Sequence, residues 1–250
     1  MVCTNLLAAE EIVRVVGLPA ARDVEPFASG CVQMAEFEVV EDCQIADRTV
    51  READVFDALT FVGLFRGEQV VIPRGDTVIE AGDRLVVVGP PATVRQFAGS
   101  VSSGEGQRTV EDAVVVGGSE IGVHVAEMLA NRGIDVRMIE HDRDRARQIA
   151  EDLPSVVVLE SDATDPALLE RERIGDADVL VSALASDERN LLASLLAKRV
   201  GVSRAIAVVD AYRYIEVFET VGVDVAVSPR RVVAEEIARL TREGSAENVA

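Results

Sequence analysis

A doubly wound parallel α/β domain, preceded by a small α+β domain, is the fold this sequence predicts. Three observations point to it. From residue 110 to about 229, short Val/Ile/Leu-rich runs alternate with amphipathic helical stretches, as in a parallel sheet with helices covering both faces. Before them, Gly99-Ser100-Val101-Ser102-Ser103-Gly104-Glu105-Gly106-Gln107 has no apolar period and reads as a linker. Upstream of that, the apolar runs are shorter and bounded by turn residues.

In chain order, an amphipathic helix over Leu6–Val16 comes first. Met34–Val40, Leu59–Phe65, Val70–Ile72 and Leu85–Gly89 read as short strands, with helical turns at Val50–Asp54 and Pro91–Ala98. Arg74-Gly75-Asp76 and Glu80-Ala81-Gly82-Asp83 are turn signals between strands. Past the linker, strand Val114–Val116 leads through a glycine turn into helix Ile121–Asn131 and strand Val136–Glu140. Then come helix Arg143–Asp152, strand Val156–Glu160, a short helix near Asp165–Arg171 and strand Val179–Ala183. Helix Asp187–Val200, strand Ala205–Val209, helix Tyr212–Val221 and strand Val225–Val227 follow, and Val232–Arg242 is a last amphipathic helix.

The turn Gly117-Gly118-Ser119-Glu120-Ile121-Gly122 with Glu140 at the end of the next strand carries the chemistry. The first glycine permits the tight turn, the helix N-terminus offers free N–H groups to a pyrophosphate, and the acid accepts the ribose hydroxyls. This is a Rossmann-like dinucleotide site, with ligand expected at the carboxyl ends of the strands. A carboxylate at Glu140 disfavours a 2′-phosphate and so argues against NADP. Ser119 stands where G-x-G-x-x-G has its second glycine. That position lets backbone approach the phosphates, so the serine reads as weakening the site without abolishing it.

The formal net charge is -19, and Lys198 is the one lysine. Such a chain repels a phosphate backbone, which argues against nucleic-acid binding by charge. Abundant carboxylates suit a salt-rich cytoplasm, where the Debye length shrinks to about 3 Å at 1 M. Cys3, Cys31 and Cys43 have no CxxC spacing, which predicts neither a disulfide framework nor a zinc site. No apolar run approaches the ~20 residues needed to span a bilayer, and the start lacks a signal-peptide pattern. The expectation is a soluble, intracellular protein that meets a membrane through a partner.

The two ends repeat one another: Ala9-Glu10-Glu11-Ile12-Val13-Arg14 matches Ala234-Glu235-Glu236-Ile237-Ala238-Arg239. Read as a duplication, the chain is a window one repeat long, cut out of phase with its domains. Both end helices are then expected to lack a covering domain. Their apolar positions (Leu7, Ile12, Val15 and Val16 in one; Val233, Ile237 and Leu240 in the other) predict self-association.

This layout resembles the regulatory RCK family, most closely the Trk-type peripheral subunits of potassium uptake systems. In the nucleotide domain the resemblance rests on Gly117–Gly122, Ile139-Glu140-His141-Asp142-Arg143-Asp144-Arg145-Ala146, Ser161-Asp162-Ala163-Thr164-Asp165, and Asp187-Glu188-Arg189-Asn190 before Ala197-Lys198-Arg199. In the small domain it rests on the run from Ile72 to Leu85. The resemblance implies the end of a preceding RCK-N unit with its crossover helix at 1–30, and an RCK-C domain at 31–99. A linker at 100–109, an RCK-N domain at 110–229 and a second crossover helix with a tail at 230–250 follow. It also implies that Gly117, Gly118, Ser119, Glu120, Ile121 and Gly122 wrap a pyrophosphate, Glu140 holds the ribose, and Asp162 and Ala163 flank the adenine. Ala183 and Leu184 would close the pocket, with Asn190 facing the ligand. The implied cofactor is NAD or NADH, with ATP and ADP as the other candidates. The implied partners are a membrane potassium-translocating subunit and further copies of the chain, in a dimer or larger ring, peripheral to the inner membrane face. The family's arginine in the segment matching Val208–Arg213 is replaced at the strand end by Asp210, leaving Arg213 as its substitute.

Asp162 and Asp165 read as helix-capping residues ahead of a metal pair. His124 reads as a helix-face residue, and His141 as an exposed histidine with pH sensing as its other reading. A nicotinamide-dependent oxidoreductase would share this fold, but there is no Tyr-x-x-x-Lys pair, no histidine in a plausible catalytic loop and no large substrate domain. A P-loop is absent around Lys198. The expectation is a non-enzymatic nucleotide sensor without catalytic or metal residues; an interaction module with a vestigial pocket is the third alternative.

Overall fold

The computed structural model describes residues 3–18, 20–67, 69–101 and 110–246. They form two compact units, one of residues 14–109 and one that joins residues 1–13 to residues 110–250. The chain begins with α1 (Thr4–Val16), whose residues through Val13 belong to the larger unit.

The smaller unit is built on β1 (Ala21–Phe27), β2 (Val32–Glu38), β3 (Thr60–Arg66), β4 (Gln69–Val71) and β5 (Arg84–Gly89), with the helices α2 (Val50–Ala53) and α3 (Pro91–Val101). The five strands form one antiparallel sheet in the order β1-β2-β5-β3-β4. Four strands lie within a residue or two of their expected positions; β1 is an addition to them. It is an edge strand whose run Arg22-Asp23-Val24-Glu25-Pro26 shows no apolar alternation, and proline is tolerated only at such an edge. On the inner face Ala35, Phe37, Leu64, Leu85 and Val87 are buried with Phe97. Phe97 takes edge contacts from Phe37, Phe56 and Phe61 at ring distances of 5.4, 5.6 and 5.5 Å. Thr49 caps α2 in a reciprocal box with Glu52. Helix α3 continues through Ser100 and Val101 into the segment expected as linker, while 102–109 lie outside the described residues.

An ion pair fixes the turn before β5. Asp83, 1% exposed, accepts from Arg66 Nε and Nη2 at 2.8 Å each and from the Glu80 N–H at 2.7 Å. Arg66 also reaches the Val78 carbonyl at 2.9 Å. The neighbouring carboxylates, Asp83 foremost, raise the guanidinium pKa further above its ordinary value.

The larger unit is the doubly wound domain expected. Its strands are β6 (Asp112–Val116), β7 (Asp135–Glu140), β8 (Val156–Glu160), β9 (Val179–Ser182), β10 (Arg204–Val208) and β11 (Val225–Val227). They run parallel in the order β11-β10-β9-β6-β7-β8, so the winding reverses between β6 and β9. The helices are α4 (Glu120–Ala130), α5 (Arg143–Asp152), α6 (Pro166–Arg171), α7 (Asp187–Val200), α8 (Ile215–Thr220) and α9 (Pro229–Ala246). The expected helix over Tyr212–Val221 is a 3-10 turn, Tyr212–Tyr214, followed by the shorter α8, whose N-terminus has no side-chain cap. Cover on both faces of the sheet is plainest in β6, where Ala113, Val114, Val115 and Val116 are all 0% exposed.

The end helices differ from expectation. Ala8, Ala9, Ile12, Val13, Val15 and Val16 of α1 are all at most 1% exposed, so its apolar face is covered within this chain. Arg132 Nη1 donates to the Val13 carbonyl at 3.1 Å, and Asn5 bonds Glu120. On α9, by contrast, Ile237 is 55% exposed, and the Leu240 side chain lies outside the described residues. Among the described residues no helix is long and apolar enough to cross a membrane.

Candidate functional site

The glycine turn emerges from β6 where the winding reverses, the place at which an open parallel sheet forms a ligand crevice. Gly117 has φ +98°, and a Cβ there would lie 2.7 Å from the Ala183 carbonyl oxygen. Only glycine combines that backbone with that approach. Gly118 is equally confined: its Cβ would meet Ile149 Cδ1 at 2.5 Å and Glu140 Oε2 at 2.8 Å. The turn then feeds α4, whose first N–H groups and positive dipole end lie at this carboxyl edge of the sheet.

Glu140 ends β7 with its carboxylate almost wholly buried, 8% exposed. Oε2 accepts the Gly118 N–H at 2.6 Å, and Oε1 accepts the Asp142 N–H at 2.8 Å. The acid therefore holds the glycine turn in place from the end of β7. His141 Nδ1 lies 2.8 Å from Oε1, its own side chain 59% exposed.

Ser119 is the N-cap of α4, accepting from the Gly122 N–H at 3.2 Å and donating to the Ala183 carbonyl at 2.7 Å. The serine in place of glycine thus gains a structural role: it caps the helix and ties the turn to the end of β9. Its hydroxyl is committed to the protein through both of these bonds. Glu120 opens α4 and Ile121 follows it half-buried, with Glu120 engaged by Asn5.

Asn190, expected to face the ligand, has its side-chain amide engaged by backbone in this structure. It is 1% exposed, its Oδ1 accepts the Leu184 N–H at 2.7 Å, and its Nδ2 donates to the Leu184 and Val208 carbonyls at 3.0 and 2.9 Å. It closes the loop after β9 onto the end of β10 and so fixes the backbone of Leu184. The side-chain amide does this because a buried loop must satisfy backbone groups that no strand pairs.

Asp165 caps a helix as expected, whereas Asp162 does not: it closes the turn ahead of that cap. Asp162 Oδ1 accepts the Thr164 N–H and hydroxyl at 2.9 and 2.8 Å, and Arg189 approaches at 3.3 Å. Asp165 caps α6 through the Ala167 N–H at 3.0 Å. The Thr164 bonds, with Arg189 behind them, hold the Asp162 pKa below the usual carboxylate range. A lowered folded pKa stabilises the folded state above the ordinary value of about 4, and that contribution fades as pH falls through the folded pKa. Ala163 beside it is buried.

Two arginines near the site were missed. Arg145 Nε donates to the Gly118 carbonyl at 2.9 Å, so α5 also grips the glycine turn. Arg230, at the start of α9, pairs with both oxygens of Asp210 at 3.0 and 2.8 Å. It brings a guanidinium to the end of β10, where Arg213 is the expected substitute; Arg213 instead lies over the Tyr214 ring at 5.0 Å. The i+3 position of Arg145 after its Asp142 cap was the available signal; Arg230 had none, being distant in sequence. A surface groove of about 290 Å³ on α5 and β8, lined by Arg143, Arg147, Val158 and Glu160, contains none of the expected site residues. Among the described residues no cluster of metal-binding side chains occurs.

With this geometry in view, the likenesses to known proteins are informative. Residues 113–229 match the TrkA-N domain and residues 34–100 the TrkA-C domain. A Trk system potassium uptake protein trkA homolog of Methanosarcina mazei is 37% identical over 242 residues, covering 96% of this chain and 59% of that protein. The homolog from Archaeoglobus fulgidus is 34% identical over 250 residues, covering 100% of this chain and 56% of that protein. The chain thus spans a little over half the length of these relatives. Among solved structures, the GsuK RCK domain superposes with a TM-score of 0.64 at 19% identity, over 97% of this chain and 51% of that one. The GsuK channel bound to NAD gives the same TM-score and identity over 97% of this chain and 43% of that one. At this identity the structures speak for the fold. This chain carries a TrkA-C domain followed by a TrkA-N domain.

Proposed function

We propose that the protein is a nucleotide-sensing regulatory subunit of a potassium transport system, binding an adenosine nucleotide in the crevice beside the glycine turn. The observation that carries the reading is the buried Glu140 carboxylate, joined to the Gly118 N–H at the reversal of the sheet. NAD or NADH is the preferred ligand, with ATP or ADP as the other candidates, and a solved channel of the same fold is bound to NAD. Gly117 to Gly122 would receive the phosphates, Glu140 the ribose, and Asp162 with Ala163 the adenine. The relatives' role in potassium uptake supports a membrane transporter as partner, and their names favour a regulator over an enzyme.

Glu140→Ala should weaken NAD by one to two orders of magnitude. Charge-assisted bonds to a carboxylate contribute about 1.5–3 kcal/mol, and ~1.4 kcal/mol is tenfold. Calorimetric titration at high salt measures it; an unchanged dissociation constant in a folded variant would remove Glu140 from the site. Turnover of the nicotinamide would instead favour the oxidoreductase.

Bound nucleotide would regulate by biasing how copies of the chain pack. The exposed Ile237 on α9 supports assembly through that helix, as a crossover helix after residue 229 would provide. Ile237→Asp is expected to move the assembly toward monomer in light scattering at molar salt. A concentration-independent monomer for the unmutated chain would overturn the assembly.

A further inference from the structure

We propose that Asp210, oriented by Arg230, accepts the second ribose of a dinucleotide, so that the site selects a dinucleotide over ADP or ATP. The inference rests on the site proposed above and names its ligand class. The parallel sheet has two halves that meet at the winding reversal. In one, β6 is followed outward by β7 and β8; in the other, β9 is followed by β10 and β11. Glu140 ends β7, and Asp210 lies two residues beyond Val208, the last of β10, the counterpart strand. Each half therefore carries a strand-end acid.

The registers bring both acids to the ligand edge. Ile139 is level with Val116, Val116 with Ser182, and Ser182 with Ala207. Val209 remains in the ladder, donating to the Val227 carbonyl at 2.9 Å, so Asp210 emerges at the carboxyl end of the sheet. With strands about 4.8 Å apart, the end of β10 lies roughly 10 Å to one side of β6 and that of β8 roughly 10 Å to the other. A dinucleotide with its adenosine half over β7 and β8 carries its second half over β9 and β10. ADP and ATP have no second ribose to bring there.

The side chains suit a diol. A carboxylate offers about four lone-pair sites. In Asp210 one on each oxygen is taken, by Arg230 Nε at 3.0 Å and Nη2 at 2.8 Å. The rest face solvent, the Asp210 side chain being 69% exposed. Asp187, the first residue of α7, fixes the backbone beneath: its oxygens accept the Asp210 and Ala211 N–H groups at 2.8 and 3.3 Å. A terminal phosphate fits poorly here, since it would meet the carboxylates of Asp187 and Asp210 beside a guanidinium already engaged. Neutral hydroxyls donate to a carboxylate without that repulsion. Arg230 lies in the first turn of α9, so a ribose held by Asp210 is one ion pair away from the helix proposed for assembly.

Calorimetric titration at constant high salt with NAD, ADP-ribose and ADP tests the assignment, because ADP is the fragment all three share. The parent is expected to bind NAD about tenfold or more tighter than ADP, the scale of one charge-assisted contact. In Asp210→Ala, NAD and ADP-ribose should both weaken about tenfold, while ADP changes by less than about twofold. Arg230→Ala keeps the carboxylate but frees it to turn; NAD should weaken about threefold, with ADP again unchanged. Both variants should melt with the parent, because so exposed an ion pair adds little to stability. A pair that served only the fold would weaken all three ligands alike. Equal losses for NAD and ADP, unchanged NAD affinity in Asp210→Ala, or a parent that binds ADP as tightly as NAD would overturn the inference while leaving the adenosine site standing. A loss confined to NAD, with ADP-ribose unaffected, would overturn it too, since Asp210 would then meet the ring and not the ribose. Absence of both NAD and ADP binding to the parent would overturn the adenosine site as well.

Discussion

Gly122→Ala is expected to cost the larger unit about 3 kcal/mol, at the upper end for overpacking a rigid contact. A Cβ at this position would lie 2.1 Å from the Gly117 carbonyl oxygen, and both partners are backbone. No rotamer change relieves that overlap. Helix α4 would have to withdraw from the turn, breaking the Ser119 cap and loosening the Gly118 bond to Glu140. At about 2–4 °C per kcal/mol for a chain of this size, the melting temperature should drop by roughly 6–12 °C. NAD affinity should fall with it. Gly133→Ala is the contrast, since nothing lies within 4 Å of its Cβ and only its φ of +81° is unfavourable. A Gly122→Ala protein that melts with the parent would contradict the close approach at the heart of the site.

Arg66→Ala is expected to destabilise the smaller unit by about 3 kcal/mol, the lower end for breaking a buried pair. The lower end applies because the Arg66 side chain is 38% exposed while that of Asp83 is 1% exposed. The variant strands a buried carboxylate with only the Glu80 N–H for company. Arg66→Lys should recover part of the loss, since one ammonium cannot span both oxygens. Denaturant unfolding at constant high salt reads the effect. Equal stability of Arg66→Ala and the parent would mean that the pair contributes nothing net.

The layered α/β unit could be read from the chain because its strands are continuous apolar runs and its helices carry their own punctuation. Asp142, Asp165, Ser119 and Ser186 each cap a helix where the sequence changes period. Helix Asp187–Val200 ends at Gly201 in the left-handed region, as its expected bounds imply. Strand Ala21–Phe27 escaped because an edge strand answers to one neighbour and to water, so its residues need not alternate. The candidate site divides the same way. Glycines and the strand-end acid were evident because local geometry demands them. The bonds of Asn190 were not legible because its partners, Leu184 and Val208, are set by the fold and not by its neighbours. The cover over α1 was missed for the same reason: Arg132 is 119 residues from Val13.

That last separation has a consequence during synthesis. Helix α1 leaves the ribosome long before the surface that buries it exists. At ~5–20 residues per second, the 119-residue interval to Arg132 takes roughly 6–24 s. Throughout it, Ala8, Ala9, Ile12 and Val13 wait for the residues of the larger unit that pack on them here, where all four are 0% exposed. The smaller unit, made of one uninterrupted stretch of chain, can close during that wait; the larger one cannot begin to use its first helix until afterwards. The order of synthesis therefore lets the smaller unit close first, while the contacts between α1 and the rest of the larger unit form last.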